Sequence, residues 1–211
     1  MHVLALTTQK GGSGKTTLAA SLAVAALQDG ERVAILDTDQ QRSLTSWGQR
    51  RKAGDLAVQS VEPSGFKTAL GRLRADGSTT LAIVDTPGLF GAGVTLVLQE
   101  ASLCLLPVKP SILDVEAARP TVEQLRMLGR RFGFVLNQCN ATTQARTLDA
   151  ATALVKAGAL APSMVASRSD FLDAMTTGQG VTEFAPRGKA AVEIRLLWQW
   201  AKSQLEGSAN G

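Results

Sequence analysis

The sequence predicts an α/β fold, a mostly parallel twisted sheet flanked by helices on both faces. Short β-branched or apolar runs alternate with stretches of helical period, the order that builds βαβ units. Several runs, notably Val33-Ala34-Ile35-Leu36 and Leu81-Ala82-Ile83-Val84, are apolar without alternation, as strands covered by helices on both faces are. A glycine-rich turn directly after the first run adds an anion site at the carboxyl edge of such a sheet.

In chain order, strands are expected over Val3 to Thr8, Arg32 to Asp37, Ala57 to Val61, Leu81 to Asp85, Ser102 to Val108 and Phe132 to Asn137, with a seventh over Pro162 to Ala166. Helices are expected over Thr16 to Asp29 and Val115 to Leu128, each closed by a glycine, Gly30 and Gly129. Ser43 to Lys52, Phe66 to Ala75, Thr143 to Ala157, Ser169 to Thr176 and Lys189 to Leu205 complete the helical set. At 211 residues and 45% hydrophobic, the chain can bury a full core, so residues 1–206 are read as one domain and 207–211 as a flexible tail.

The turn reads Gln9-Lys10-Gly11-Gly12-Ser13-Gly14-Lys15-Thr16-Thr17. Glycines at 11, 12 and 14 free the backbone of Cβ clashes, so successive N–H groups, that of Ser13 among them, can converge on phosphate oxygens at a helix N-terminus. Lys15 is placed to reach the β and γ phosphates, Thr16 to put its hydroxyl on Mg²⁺, and Thr17 to begin the helix. The pattern G-x-x-x-x-G-K-[ST] is not met, because Gln9 stands where its first glycine belongs.

Carboxylates follow two strands. Asp37-Thr38-Asp39 ends the second, and Asp85-Thr86-Pro87-Gly88 closes the apolar fourth, where Asp85 can hold Mg²⁺ through water. A lone Asp after a strand is ordinarily a turn residue; three segments in this order make a nucleotide site.

The segment Lys10-Gly11-Gly12-x-Gly14-Lys15-Thr16 resembles the deviant Walker A motif of the ParA/MinD family of dimerising ATPases, and the resemblance runs over almost the whole chain, being nearest to small ParA/ParF-type partition proteins. It implies a P-loop fold, ATP and Mg²⁺ as cofactors, and slow intrinsic hydrolysis stimulated by a ParB-like or adaptor protein. It implies that Lys10 is the signature lysine reaching the partner's nucleotide in an ATP homodimer. Asp39 matches the acid implicated in hydrolysis, Asp37 lies close to the metal shell, Gly88 turns its N–H to a γ phosphate, and Asn137 reads adenine. Gln40 departs from the proline that relatives often carry.

The net charge of +4 is compatible with a polyanion. Non-specific DNA binding by the ATP dimer would use Arg168, Arg187, Lys189, Arg195 and Lys202; the first four resemble, in position, basic residues of the family's C-terminal third. The alternative is a MinD-like membrane-cycling regulator with the last helix as anchor. Its face Ile194, Leu197, Trp198, Ala201 and Leu205 has few accompanying cations, so docking on the domain is expected and stable membrane anchoring is not. Cys104 and Cys139 lie in apolar segments without C-x-x-C spacing and read as core residues of a reducing compartment, so with no charged leader a cytoplasmic protein is expected, and the resemblance implies that it is nucleoid-associated.

Overall fold

The computed structural model describes residues 1–89, 91–140 and 144–207. Among them, strands β1 (His2–Leu6), β2 (Val33–Asp37), β3 (Ala57–Ser60), β4 (Leu81–Asp85), β5 (Leu103–Val108), β6 (Phe132–Leu136) and β7 (Ala159–Leu160) form one sheet in the order β3-β2-β4-β1-β5-β6-β7. Every ladder is parallel. The glycine-rich turn leaves the central strand, so β4 flanks it on one side and β5 on the other.

The unalternating apolar runs have the expected cause. Leu4, Leu6, Leu81, Ile83, Leu103 and Leu105 pack on one face, while Val3, Ala5, Ala82, Val84, Cys104 and Leu106 pack on the other. The first face is covered by α1 (Lys15–Gln28), α2 (Ser43–Arg50), α7 (Ser169–Thr177), α8 (Val181–Phe184) and α9 (Lys189–Glu206). The second is covered by α3 (Phe66–Asp76), α4 (Ala92–Glu100), α5 (Ile112–Met127) and α6 (Gln144–Ala157). Gly30 and Gly129 follow α1 and α5 with φ of +92° and +62°, the left-handed turn-out that glycine permits.

The short helix α8 is absent from the sequence expectation, and three further elements differ from it. The seventh strand is Ala159–Leu160, and the segment expected to form it gives only an isolated bridge between Ala166 and Cys139. The helix α4 was missed because glycine and β-branched residues interrupt it locally; burial of Val94, Val97 and Leu98 forms it, with Gly93 where a Cβ would stand 2.5 Å from the Pro63 side chain. The helix α5 starts at Ile112, three residues early, because Ser111 caps it by accepting the Asp114 N–H at 3.2 Å. Thr143, the expected start of the helix observed as α6, and residues 208–211 of the expected tail lie outside the described residues.

The last helix docks as expected. Ile194, Leu197, Trp198, Ala201 and Leu205 are all buried against the α1 face, so the amphipathic stripe is part of the core. Cys104 and Cys139 are free, buried thiols, and burial raises their pKa to about 12 and about 11.

Candidate functional site: a nucleotide cradle

Gly12 and Gly14 hold φ of +71° and +92°, which folds the chain leaving β1 back over the start of α1. A Cβ at Gly14 would also stand 2.3 Å from Asn137 Nδ2. The loop forms the floor of a cleft of about 740 Å³ whose walls include Lys15, Thr16, Asp39 and Gly88. A neighbouring cavity of about 430 Å³ beyond Gly14 is lined by Asn137, Gln138, Arg168 and Phe171, among others.

Lys15 is 7% exposed, with Nζ 3.5 Å from the Thr8 carbonyl. Burial lowers its pKa, and the charges of Asp85 and Asp39 oppose that shift. Gly88 lies against the same ammonium: a Cβ on it would be 3.6 Å from Lys15 Nζ and 3.4 Å from the Gly11 nitrogen. The backbone after β4 therefore rests directly on the cradle.

The Thr16 hydroxyl donates to Asp85 Oδ2 at 2.6 Å, while Asp85 Oδ1 is buried without a hydrogen-bond partner. A hydroxyl beside an orphaned carboxylate oxygen fits the hard oxygen donors that Mg²⁺ takes. Asp37 stands opposite Asp85 across the β2–β4 ladder. Its Oδ2 accepts the N–H and hydroxyl of Thr45, at 2.8 and 2.9 Å, and its Oδ1 accepts the Asp39 N–H at 3.2 Å, so it shapes the loop into α2. Asp39 accepts the Gln41 N–H at 2.9 Å and lines the cleft.

Burial pushes the Asp85 carboxyl up to about 7, reinforced by Asp37 and opposed by Thr16 and Lys15. The folded chain then holds this proton more tightly than the unfolded chain, whose carboxyl titrates near the ordinary value of 3.8. Stability from this group is therefore greatest at low pH, falls through that window, and levels off above about 7. The ligand-free protein should lose about 1.4 kcal/mol through Asp85 between about pH 6 and about pH 8. Asp85→Asn should remove that loss, which urea unfolding at the two pH values would read; an unchanged slope would remove Asp85 as its source.

Lys10 is held within its own chain, its Nζ 2.9 Å from Asp114 Oδ1 in the first turn of α5. Sequence reasoning passed over this partner. The Ser111-x-x-Asp114 spacing at a helix start was the available signal. It also passed over Gln138, whose Nε2 donates to the Gly12 carbonyl at 3.0 Å beside the Asn137 Nδ2 bond to the Ser13 carbonyl at 2.7 Å.

The five basic candidates are not equivalent. Arg168 pairs with Glu193 at 2.6 Å, Lys202 with Asp29 at 2.7 Å, and Arg195 donates to the Pro186 carbonyl at 2.8 Å. Arg187 and Lys189 flank the start of α9, exposed and without an ion pair among the described residues.

The family model described as the CobQ/CobB/MinD/ParA nucleotide binding domain matches residues 4–181, from β1 to the start of α8. The chain belongs to this family. A family relative from Gloeobacter kilaueensis, named maintenance of carboxysome distribution protein A, is 40% identical over 127 residues; the match covers 58% of the chain and 56% of that relative, a little over half its length. A protein of the same name from Halothiobacillus neapolitanus is 27% identical over 198 residues, covering 90% of the chain and 91% of the relative. Among solved family structures, the septum site-determining protein MinD of Pyrococcus horikoshii, complexed with Mg-ADP, superposes with a TM-score of 0.80 at 16% identity over 95% of each chain, a likeness of fold. No helix among the described residues is long and apolar enough to cross a membrane.

Proposed function

We propose that the chain is an ATP-dependent dimerising switch ATPase, a single domain over residues 1–206, that partitions DNA or positions another cargo. The observation carrying this reading is a phosphate cradle bearing two lysines: Lys15 beneath the loop, and Lys10 at its edge on a releasable partner, Asp114. Lys15 and the N–H groups of residues 11–17 bind the triphosphate. Thr16 and Asp85 would hold Mg²⁺, which would supply charge neutralisation to the triphosphate, with Asp37 behind them. Asp39 orients the attacking water, and Gly88 senses the γ phosphate through its backbone. Adenine occupies the cavity beside Asn137, whose remaining amide N–H and Oδ1 suit its edge. Lys10 leaves Asp114 to reach the nucleotide of a second copy.

In this reading the ATP dimer, cytoplasmic and nucleoid-associated, binds DNA without sequence preference until a ParB-like or adaptor protein stimulates hydrolysis. Of the five basic candidates, Arg187 and Lys189 remain available, whereas Arg168, Arg195 and Lys202 are engaged within the chain. The names of the carboxysome relatives support a positioning role. The apolar face of α9 is buried, which argues against that helix as a membrane anchor.

The test is binding to a non-specific duplex without nucleotide, with ADP and with a slowly hydrolysed ATP analogue, across a salt series and beside anionic liposomes. ATP-dependent DNA binding that weakens steeply with salt is expected. Nucleotide-dependent liposome binding without DNA binding would overturn the DNA reading. Asp39→Ala should keep the protein on DNA with ATP itself and reduce turnover at least ~100-fold, the lower end of the range by which proton-transfer groups contribute; normal turnover would remove Asp39 from the hydrolytic step.

A further inference from the structure

We propose that Gln138, together with Asn137, is a positioning residue that aims the N–H groups of the phosphate cradle. The inference rests on the reading that the cradle binds a nucleotide. The carbonyls of two consecutive loop residues, Gly12 and Ser13, accept hydrogen bonds from two consecutive side-chain amides at the end of β6: Gln138 Nε2 at 3.0 Å and Asn137 Nδ2 at 2.7 Å. In a planar trans peptide the C=O and the following N–H point in opposite directions. Drawing the Gly12 and Ser13 carbonyls toward β6 therefore turns the Ser13 and Gly14 N–H groups the other way, toward the concave side where phosphate oxygens sit.

The anchor is itself fixed. The Asn137 N–H donates to the Val108 carbonyl at 2.9 Å and the Cys139 N–H to the Val165 carbonyl at 3.0 Å, one on each side of Gln138. Between them Gln138 takes φ +55°, left-handed backbone that a side chain rarely adopts. The contact leaves no slack at Gly14, where a Cβ would meet Asn137 Nδ2 at 2.3 Å and Gln138 Nε2 at 3.4 Å. A residue held off its preferred backbone, with its side chain directed at a ligand loop, is the pattern in which local strain serves a site.

The role separates from reading the base. An amide that aims the cradle affects every polyphosphate equally, whereas one that reads adenine affects ATP and not tripolyphosphate. Gln138→Gly is the informative variant, because glycine accepts the positive φ and the fold keeps its stability while the donor is lost. Affinities for ATP, GTP and inorganic tripolyphosphate, read by displacement of a fluorescent ADP, should all weaken about 5- to 10-fold, the loss of one hydrogen bond, with the ATP-to-GTP ratio unchanged. With nucleotide bound, the Ser13 and Gly14 N–H groups should be less protected from hydrogen exchange in the variant than in the parent. Gln138→Lys, which keeps a donor of similar reach, should restore most of the affinity.

Unchanged affinities in Gln138→Gly would overturn the proposal, as would a changed ATP-to-GTP ratio with tripolyphosphate unaffected. Wild-type protein that binds neither ATP nor tripolyphosphate would overturn the nucleotide reading itself, and this inference with it.

Discussion

Lys15→Gln should weaken ATP binding at least ~100-fold, about 2.7 kcal/mol, while leaving the ligand-free protein as stable as the parent or more so. Both halves follow from the environment of one ammonium. It is 7% exposed, and the contact holding it is the Thr8 carbonyl at the long distance of 3.5 Å. Burial depresses its pKa, so the charged form is kept at a cost in the empty cradle. A triphosphate supplies the counter-charge through hydrogen bonds to ionised oxygens, each worth roughly 1.5–3 kcal/mol. Glutamine keeps a donor, one bond shorter, but loses the charge. Calorimetric titration with ATP and a thermal melt of the ligand-free variant read the two halves; tight binding by Lys15→Gln would mean that the phosphates do not lie over this loop.

Arg51→Ala should cost about 3 kcal/mol of folding stability, the lower end of what breaking a buried ion pair costs. Its side chain is 3% exposed and makes a two-pronged contact with Glu183, at 2.7 and 2.8 Å, and another with Asp55, at 2.7 and 2.9 Å. A further bond runs to the Gly178 carbonyl at 3.3 Å. Removal leaves two carboxylates facing a cavity. The partial exposure of Asp55, 36%, lets water recover part of the loss. For a chain of this size the thermal midpoint should fall roughly 6–12 °C. Arg51→Lys should recover little, because an ammonium cannot present the planar fork. A loss under about 1 kcal/mol would mean that solvent already screens the pair.

What was legible from the sequence was local. The cradle, the apolar strands and the two helix-ending glycines each carry their reason within a few residues, and Gly12, Gly14, Gly30 and Gly129 all take the positive φ for which glycine is needed. What was not legible depends on partners distant in sequence. Arg168 and Lys202 read as DNA-binding cations until folding pairs them with Glu193 and Asp29. The carboxylate of Asp37, read as lying near the metal, is engaged by Thr45, which no spacing rule selects. The β-branched Val94 and Val97 become helical by burial, against their local propensity. Gln138 carried no motif at all, since its meaning lies in a bond across 126 positions of chain.

The short helix α2 has Asp37 gripping Thr45 in its first turn, while Trp47 beyond it donates to the Gln179 carbonyl at 3.1 Å and lies 5.6 Å from the Arg51 guanidinium. That indole is fully buried, with a fixed positive charge beside it, and it lies two residues beyond Thr45, which the Asp37 carboxylate holds. The other two tryptophans lie on α9, where Trp198 bonds to Asp29 at the far end of α1. With Trp198 and Trp200 replaced by phenylalanine, the emission of Trp47 alone would report any tilt of α2 as a change of electric field at one indole, without a label.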